Sequence, residues 1–263
     1  MTTENMFDIS GKQILITGGA RGIGRMIAEG LLKSGASVFI STRKEDAAVE
    51  AGRDLSELGE IHAIAADITT EAGRSKLVDA VAEHTDHLDA LINNAGATWG
   101  ASFDEFPAQA WDKVLGANVK APFALAQRAR ALLEAGAELS AGPSRIINIG
   151  SIDGLAVPSF ENYSYSASKA AIHHLTRHMS ATLAPTILVN AVAPGPFPTK
   201  MMSWILDEKG DEIAAANPLR RIGTSDDVTG VLTFLLSQAS SYLTGTVIPL
   251  DGGLSTTMTV GLS

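Results

Sequence analysis

The chain has 263 residues, of which 45% are hydrophobic and 19% are charged, so it holds enough apolar material for a buried core. A net charge of -9 opposes nucleic-acid binding, because contacts to a phosphate backbone depend on clustered Lys and Arg. The chain contains no cysteine, which excludes disulfides, thiol catalysis and thiolate metal sites.

The apolar segments and the histidines exclude two further classes of protein. No apolar run approaches the roughly 20 residues that a membrane-spanning helix needs. Residues 1–8 are polar and acidic where a secretory signal is basic and then apolar, so we expect a cytoplasmic protein. His173, His174 and His178 are close in sequence, but no Glu lies between them as the helix of a zinc protease requires. We therefore expect neither a membrane partner nor a metal.

Short apolar runs rich in β-branched residues alternate along the chain with longer segments of helical spacing. This alternation is typical of βαβ units and predicts an α/β fold with a parallel sheet. Several of the runs lack polar alternation, which suits strands that helices cover on both faces. We predict one doubly wound domain over residues 1–263 with about seven strands, at 13–17, 37–41, 61–65, 90–93, 145–149, 188–193 and 247–250.

The segments between these strands have helical spacing. Gly35 and Gly59 follow two of them and are expected to end the helices, because glycine adopts the left-handed conformation common at helix C-termini. The stretches 136–144 and 194–198 contain Gly or Pro and are predicted to be loops. The predicted helices are 23–34, 44–58, 70–84, 108–135, 163–183 and 225–236.

A glycine-rich turn, Thr17-Gly-Gly-Ala-Arg-Gly-Ile-Gly24, joins the first strand to the first helix. Gly18, Gly22 and Gly24 can stand where the backbone bends, where it approaches a pyrophosphate and where helix packs on strand. The free N–H groups at the start of the helix attract phosphate. Arg25 follows Gly24 where a Walker loop requires Lys, which excludes that loop. The turn predicts a dinucleotide site, although a plain tight turn could use the same glycines.

The end of the second predicted strand indicates which dinucleotide is bound. An acidic residue at this place holds the ribose hydroxyls of NAD, but here Thr42 occupies it. The repulsion that excludes a 2′-phosphate is therefore missing, and Arg21 and Arg43 could pair with that phosphate. The alternative is that both arginines are solvated surface residues. Our hypothesis is that NADP(H) is preferred.

Tyr165 and Lys169 lie four residues apart in a segment of helical spacing, so they are neighbours on one helix face. A free tyrosine has a pKa of about 10, and a nearby ammonium together with an oxidised nicotinamide would lower it. The phenol could then exchange a proton with a substrate oxygen. Tyr163 is the competing candidate, but it points away from Tyr165 around the helix. We favour Tyr165.

Ser151 follows a buried-looking strand, at the edge where open parallel sheets place their ligands. Its hydroxyl could hydrogen-bond the substrate oxygen and stabilise a developing alkoxide. A serine at this place can also be a simple cap or turn residue. The surrounding Gly150-Ser-Ile-Asp-Gly154 is not the G-x-S-x-G elbow, which argues against a serine hydrolase.

Further motifs follow in order along the chain. Asn93-Asn-Ala-Gly96 ends the fourth predicted strand, Asp67 follows the third strand, and Asn118 lies in a predicted helix. Pro194-Gly195 precedes Thr199, and Asp251-Gly-Gly253 follows the last strand. Together with the glycine turn, Ser151 and the YxxxK pair, these motifs resemble the short-chain dehydrogenase/reductase family over nearly the whole chain.

The resemblance implies a Rossmann-like NADP(H)-dependent oxidoreductase that interconverts a carbonyl and a secondary alcohol. It implies that Tyr165 is the general acid-base, that Lys169 lowers its pKa and holds the nicotinamide ribose, and that Ser151 orients substrate. It further implies that Asn118 completes a proton relay through a water on its backbone carbonyl. The cofactor residues that it implies, besides Tyr165 and Lys169, are Gly18, Arg21, Gly22, Ile23, Gly24, Thr42, Arg43, Asp67, Ile68, Asn94, Ala95, Gly96, Pro194, Gly195, Phe197 and Thr199.

In the motifs Ala97-Thr-Trp-Gly100 and Ile146-Ile-Asn-Ile-Gly-Ser151, the chain is similar to the bacterial 3-oxoacyl-[acyl-carrier-protein] reductases, particularly the branch associated with rhamnolipid synthesis. Residues 196–222 correspond to the family's substrate lid, and the apolar cluster at 200–206 would suit a hydrophobic substrate, although core packing explains it equally well. The alternatives are an alcohol dehydrogenase acting on a steroid, sugar or other secondary alcohol, and a non-catalytic NADP-binding regulator. The resemblance also implies a homo-oligomer, a tetramer or dimer.

Overall fold

Seven parallel strands form one sheet in the order β3-β2-β1-β4-β5-β6-β7. The structure is a computed structural model that describes residues 6–140, 142–158, 160–199 and 203–256, with the backbone alone for 203–207. Every strand lies where the sequence predicts it, within one residue at either end, and the predicted α/β fold class is confirmed. The strands are β1 (Gln13–Thr17), β2 (Ser37–Thr42), β3 (Ile61–Ala65), β4 (Ala90–Asn93), β5 (Ser144–Ile149), β6 (Ile187–Pro194) and β7 (Val247–Leu250).

The strand order reverses direction at β1, which pairs with β2 on one side and with β4 on the other. Ile16 is opposite Ile40 of β2 and Ile92 of β4 in this register. Open α/β sheets bind their ligands at such a reversal, beyond the carboxyl ends of the strands. The topology therefore places the candidate ligand site above Thr17 and Asn93.

Helices cover both faces of the sheet, as the missing polar alternation predicts. On β1, Ile14 and Ile16 belong to one buried core and Leu15 to the other, because successive side chains of a strand point to opposite faces. The first core is covered by α1 (Gly22–Lys33), α2 (Glu45–Leu55) and α9 (Ser225–Leu236), and the second by α3 (Glu71–Ala82), α5 (Ala121–Arg128), α6 (Arg130–Leu139) and α7 (Tyr163–Leu183). The described helices also include α4 (Ala108–Leu115) and α8 (Ser203–Ala216), and none of them is long and apolar enough to cross a membrane.

Two predicted helix ends had different outcomes. Gly35 ends α1 as expected: its φ is +83°, and its N–H donates to the Leu32 carbonyl at 2.9 Å. The N–H of Ala36 donates to the Leu31 carbonyl at 3.1 Å, which completes a Schellman motif. The second helix was predicted to reach residue 58 before Gly59, but α2 already ends at Leu55.

The prediction of one helix over 108–135 is wrong, because the segment is divided into α4, α5 and α6. A wider turn, Gly116–Lys120, separates α4 from α5, and the N–H of Ala121 donates to the Gly116 carbonyl five residues back. Pro122 explains part of this break, since it lacks the N–H that an α-helix would donate to the carbonyl of Asn118. The departure from α-helical geometry thus centres on a candidate site residue.

The predicted loop over 136–144 is wrong in its first part, because α6 continues to Leu139. The predicted lid, 196–222, contains α8, which has a non-helical residue at Lys209. The apolar cluster predicted at 200–206 falls outside the described side chains, and residues 257–263 also fall outside the description. The short turn Ile152–Gly154 follows β5, and it carries residues of the site.

Gly136 packs α6 directly against the backbone that precedes β4. A Cβ atom on Gly136 would lie 2.1 Å from the Leu88 carbonyl oxygen, and neither backbone can move without shifting the sheet. We expect Gly136→Ala to lower the free energy of unfolding by about 1–3 kcal/mol through overpacking. Urea denaturation followed by circular dichroism measures this change.

The matched control is Gly230→Ala, in the interior of α9, where an added Cβ meets no atom within 4 Å. We expect this control to raise the free energy of unfolding by about 0.5–1 kcal/mol, because alanine restricts the unfolded chain. Equal stability of Gly136→Ala and the wild type would contradict the close approach of α6 to Leu88.

Candidate active site

The glycine turn leaves almost no space beside its backbone. Gly18 has a φ of +68°, and a Cβ on it would lie 3.0 Å from the Cα of Ala95. A Cβ on Gly24 would lie 2.3 Å from the Gly18 carbonyl oxygen. Gly22 also has a positive φ, but a Cβ there would meet only the Thr199 side chain, at 3.5 Å. The turn is therefore closed on its sheet side and more open at Gly22, where α1 begins.

The amide of Asn94 holds this turn in place. Its Nδ2 donates to the carbonyls of Thr17 at 2.9 Å and Gly18 at 3.1 Å. In return, the Thr17 hydroxyl accepts hydrogen bonds from the backbone N–H groups of Asn94 and Ala95, both at 3.0 Å. Asn94 therefore shapes the glycine turn, and its side-chain amide is already used by the protein. Gly96 lies next to Asn118, whose Oδ1 would be 3.0 Å from an added Cβ.

The ends of β2 and β3 bring a basic and an acidic residue close together. Asp67 accepts hydrogen bonds from the backbone N–H and hydroxyl of Thr69, at 3.0 and 2.7 Å. These bonds, the Thr69 hydroxyl first, hold the pKa of Asp67 below its usual range, and the charge of Arg43 contributes. Thr42 is half-buried, and Arg43 and Arg21 are exposed. Ile68 is buried.

The loop after β6 runs back over the glycine turn. The N–H of Gly195 donates to the Leu250 carbonyl at 3.0 Å, which fixes the loop to β7. Thr199 then lies against Gly22. Phe197, predicted among the cofactor residues, has a side chain that is only 2% exposed and packs against Gly223 in the core. The buried side chain of Phe197 therefore anchors the loop to the core.

Ser151, Tyr165 and Lys169 converge at the carboxyl end of β5. Ser151 is buried at the end of the strand, and α7 brings Tyr165 and Lys169 across it. The Lys169 Nζ lies 5.4 Å from the centroid of the Tyr165 ring, so the two side chains face the same way, as their spacing predicts. Nζ also donates a 2.8 Å hydrogen bond to the carbonyl of Ile149. The strand end and the helix are therefore joined at this point.

The pKa of Tyr165 differs from the expectation. Burial raises the pKa of Tyr165 to about 12, the charge of Asp153 adds to the rise, and a hydrogen bond with the Ser151 hydroxyl opposes it. Burial also lowers the pKa of Lys169 to about 8, against the attraction of Asp153. The protein alone thus does not lower the pKa of Tyr165, because loss of hydration and the charge of Asp153 outweigh the hydrogen bond with Ser151.

Asp153 is a residue that the sequence analysis missed. It lies two positions after Ser151, and its carboxylate accepts a 2.9 Å hydrogen bond from the Asn162 amide. Burial raises the pKa of Asp153, while Asn162 and the charge of Lys169 lower it. The signal that could have revealed it is an ionisable residue inside Gly150-Ser-Ile-Asp-Gly154, directly beside the candidate serine.

The side chain of Asn118 connects the segment after β4 to α7. Its Oδ1 accepts from the N–H of Ala97 at 2.8 Å, and its Nδ2 donates to the Ala97 carbonyl at 2.9 Å. Nδ2 also donates to the hydroxyl of Ser168, next to Lys169, at 2.8 Å. Because the amide is fully used, any role in proton transfer would fall to the backbone carbonyl, which Pro122 leaves without its α-helical donor.

The remaining candidates lie apart from this cluster. The Tyr163 hydroxyl donates to Glu161 at 3.1 Å, and its ring contacts Phe103 and Phe106 edge-on. Tyr163 therefore faces an aromatic cluster, as its angular position on the helix indicates.

His173 is buried beneath the site, while His174 and His178 are exposed. The ring of His173 fills the space beside two glycines that flank the Ser151 turn, and burial lowers its pKa to about 4. Within the described ranges, no three His, Asp or Glu side chains gather in a way that could hold a metal ion.

Comparisons with known proteins agree with this geometry. A family model described as "Enoyl-(Acyl carrier protein) reductase" matches residues 18–255. The rhamnolipids biosynthesis 3-oxoacyl-[acyl-carrier-protein] reductase of Pseudomonas aeruginosa is 40% identical over 94% of this chain and 97% of its own. The 5-keto-D-gluconate 5-reductase of Escherichia coli is 35% identical over 95% and 98%.

A solved structure gives the same result for the fold. The "Pseudomonas aeruginosa RhlG/NADP active-site complex" superposes with a TM-score of 0.91 at 39% identity, covering 95% of this chain and 99% of that chain. The family model, at residues 18–255, includes Gly18–Gly24, Ser151 and α7. The chain belongs to the short-chain dehydrogenase/reductase family, and it is an oxidoreductase that acts on CH–OH groups and the corresponding carbonyls.

Proposed function

We propose that this protein is an NADPH-dependent reductase of 3-oxoacyl substrates, with Tyr165 as the proton donor. The observation that carries the proposal is the convergence of Ser151, Tyr165 and Lys169 at the carboxyl end of β5, beside the reversal of strand order. The 3-oxoacyl substrate is supported by the 40% identity to the P. aeruginosa enzyme of that name.

The residues at the sheet edge fit a dinucleotide. Gly18 and Gly24 leave no space for a Cβ, and Gly22 offers an open backbone at the N-terminus of α1, where phosphate binds favourably. Arg21 and Arg43 would hold a 2′-phosphate, and Asp67 would hold the adenine amino group. The other cofactor contacts that we propose come from Ile23, Thr42, Ile68, Asn94, Ala95, Gly96, Tyr165, Lys169, Pro194, Gly195, Phe197 and Thr199. A bound nicotinamide supplies or accepts the hydride.

The chain's own residues handle the proton. The raised pKa of Tyr165 keeps its phenol protonated at neutral pH, which is the form that carbonyl reduction requires. Tyr165 donates its proton to the substrate oxygen, and the Ser151 hydroxyl donates a hydrogen bond to that oxygen as negative charge develops on it. Lys169 stabilises the resulting phenolate, and the Asn118 carbonyl holds the water through which the proton is replaced.

The proposal also includes a substrate lid and an interface between subunits. Residues 196–222, which include α8, act as a lid over the substrate. Trp111, Leu115 and Phe123 remain exposed along α4 and α5, and these apolar side chains support assembly into a homo-oligomer through this surface.

A second candidate function is interconversion of a sugar acid. It is favoured by the 35% identity to the E. coli 5-keto-D-gluconate 5-reductase. Steady-state assays with 3-oxoacyl thioesters and with 5-keto-D-gluconate separate the two functions. Binding of NADPH without turnover of either substrate would contradict both.

Tyr165→Phe tests the proton donor. We expect this variant to bind NADPH normally and to lose about 10²- to 10⁴-fold in kcat, because the ring remains while the transferable proton is removed. The measurements are cofactor fluorescence titration and NADPH oxidation in steady state. Tyr163→Phe is the matched control and should retain wild-type kcat, since its hydroxyl bonds only to exposed Glu161 in the described structure. Wild-type turnover by Tyr165→Phe would remove Tyr165 from the mechanism.

Arg43→Ala tests the choice of cofactor. A charge-assisted hydrogen bond contributes about 1.5–3 kcal/mol, so we expect kcat/KM with NADPH to fall about 10- to 100-fold and that with NADH to change little. Arg53→Ala removes an exposed arginine from α2 and should alter neither value. Equal kcat/KM of the wild type with both cofactors would refute the preference for NADP(H).

A further inference from the structure

Asp153 is fixed beside the reacting groups by its own short turn. Its backbone N–H donates to the Ser151 hydroxyl oxygen at 3.2 Å, and the N–H of Gly154 donates to the Ser151 carbonyl at 3.0 Å. Gly154 has no space for a side chain, because a Cβ would lie 2.5 Å from the backbone of Lys169. The turn that carries Asp153 is therefore packed directly on α7, between Ser151 and Lys169.

Asn162 holds the carboxylate and links it to the first turn of α7. Its Nδ2 donates to Asp153 Oδ2 at 2.9 Å, while its backbone carbonyl accepts from the N–H of Tyr165 at 2.8 Å. The Oδ1 of Asn162 is buried and has no hydrogen-bond partner among the described residues. Leaving a buried amide oxygen unpaired is unfavourable. The hydrogen bond that the Asn162 side chain makes among the described residues is the one to Asp153. Asp153 is thus positioned relative to both Ser151 and Tyr165.

The charge of Asp153 reaches the two groups that would handle the proton. It raises the pKa of Tyr165 and opposes the fall in the pKa of Lys169. Asp153 is half-buried, its backbone N–H is bonded to the Ser151 hydroxyl and its charge acts on Tyr165, so its carboxylate lies close to the place where these two residues would hold a substrate.

We propose that Asp153, held by Asn162, determines substrate specificity by rejecting carbonyl compounds that carry a carboxylate near the reacting carbon. The proposal rests on the proposed reductase function of the same site. In a half-buried site, two like charges a few ångströms apart repel by about 1.4 kcal/mol or more, which corresponds to about tenfold or more in kcat/KM. Esters, thioesters and other neutral 3-oxo compounds meet no such repulsion. The substrate class assigned to this site is therefore carbonyl compounds that carry no carboxylate near the reacting carbon.

The test compares a neutral and an anionic substrate that share the same reacting ketone. Ethyl 3-oxobutanoate and free 3-oxobutanoate are assayed with NADPH for the wild type and for Asp153→Asn. We expect the wild type to prefer the ester, and the variant to shift the ratio of the two kcat/KM values toward the acid by about tenfold or more. Where the acid is not reduced, its Ki as a competitive inhibitor of ester reduction gives the same comparison.

Asp104→Asn is the matched control, because it also removes one negative charge, from an exposed residue that acts on Tyr163. It should leave the ratio unchanged. Asp153→Ala provides a second variant if Asp153→Asn has a lowered Tm, and it should shift the ratio in the same direction. An unchanged ratio in folded, active Asp153 variants overturns the inference, whereas a wild type that reduces neither compound nor a 3-oxoacyl thioester overturns the proposed function.

The pH profile of ester reduction gives a readout that a purely structural role would not move. The groups that face Asp153 are Ser151, Asn162, Tyr165 and Lys169. Removing the negative charge lowers the pKa of both Tyr165 and Lys169, so the alkaline loss of kcat/KM should begin at a lower pH in Asp153→Asn. An alkaline limb at the wild-type position would contradict the influence of Asp153 on these groups.

Discussion

The parallel arrangement of the strands is the constraint on which the site depends. Because all seven strands run the same way, the ends of β1, β4, β5 and β6 open onto one edge of the sheet. Residues that are far apart in sequence, such as Asn94 and Ser151, therefore follow neighbouring strands at the same end of the sheet. Open α/β sheets bind their ligands where the strand order reverses, and the glycine turn follows β1 at that reversal.

Buried polar groups hold this edge together. Thr17 and Asn94 exchange hydrogen bonds between β1 and β4, and Asn118 joins the following segment to α7. Deeper in the sheet, the amide of Asn93 donates to Asn148, at 2.9 Å. An amide in such a network is costly to leave unpaired, so each bond specifies one arrangement of the elements around the site. The side chains of Asn94 and Asn118 therefore mainly position the backbone segments around the site.

Electrostatic balance is the second feature of the site. Burial alone would favour the neutral forms of both Tyr165 and Lys169, and Asp153 moves the pKa of each upward. The result is a protonated phenol beside an ammonium, which suits donation of a proton to a carbonyl oxygen. A single carboxylate can therefore affect the direction of proton transfer and the charge of the substrate that the site accepts.

The sequence by itself determined the strands, the fold class and the shared helix face of Tyr165 and Lys169, because apolar periodicity and motif spacing are local properties. Tyr165 and Lys169 were predictable as neighbours since four residues make about one helical turn. The sequence did not reveal the break at Gly116–Lys120, the extension of α6 to Leu139, the burial of Phe197 or the role of Asp153. These depend on contacts between distant segments: burial decides the pKa of Tyr165, and Asn162 decides where the Asp153 carboxylate points. Such quantities arise from packing, and only the tertiary structure sets them.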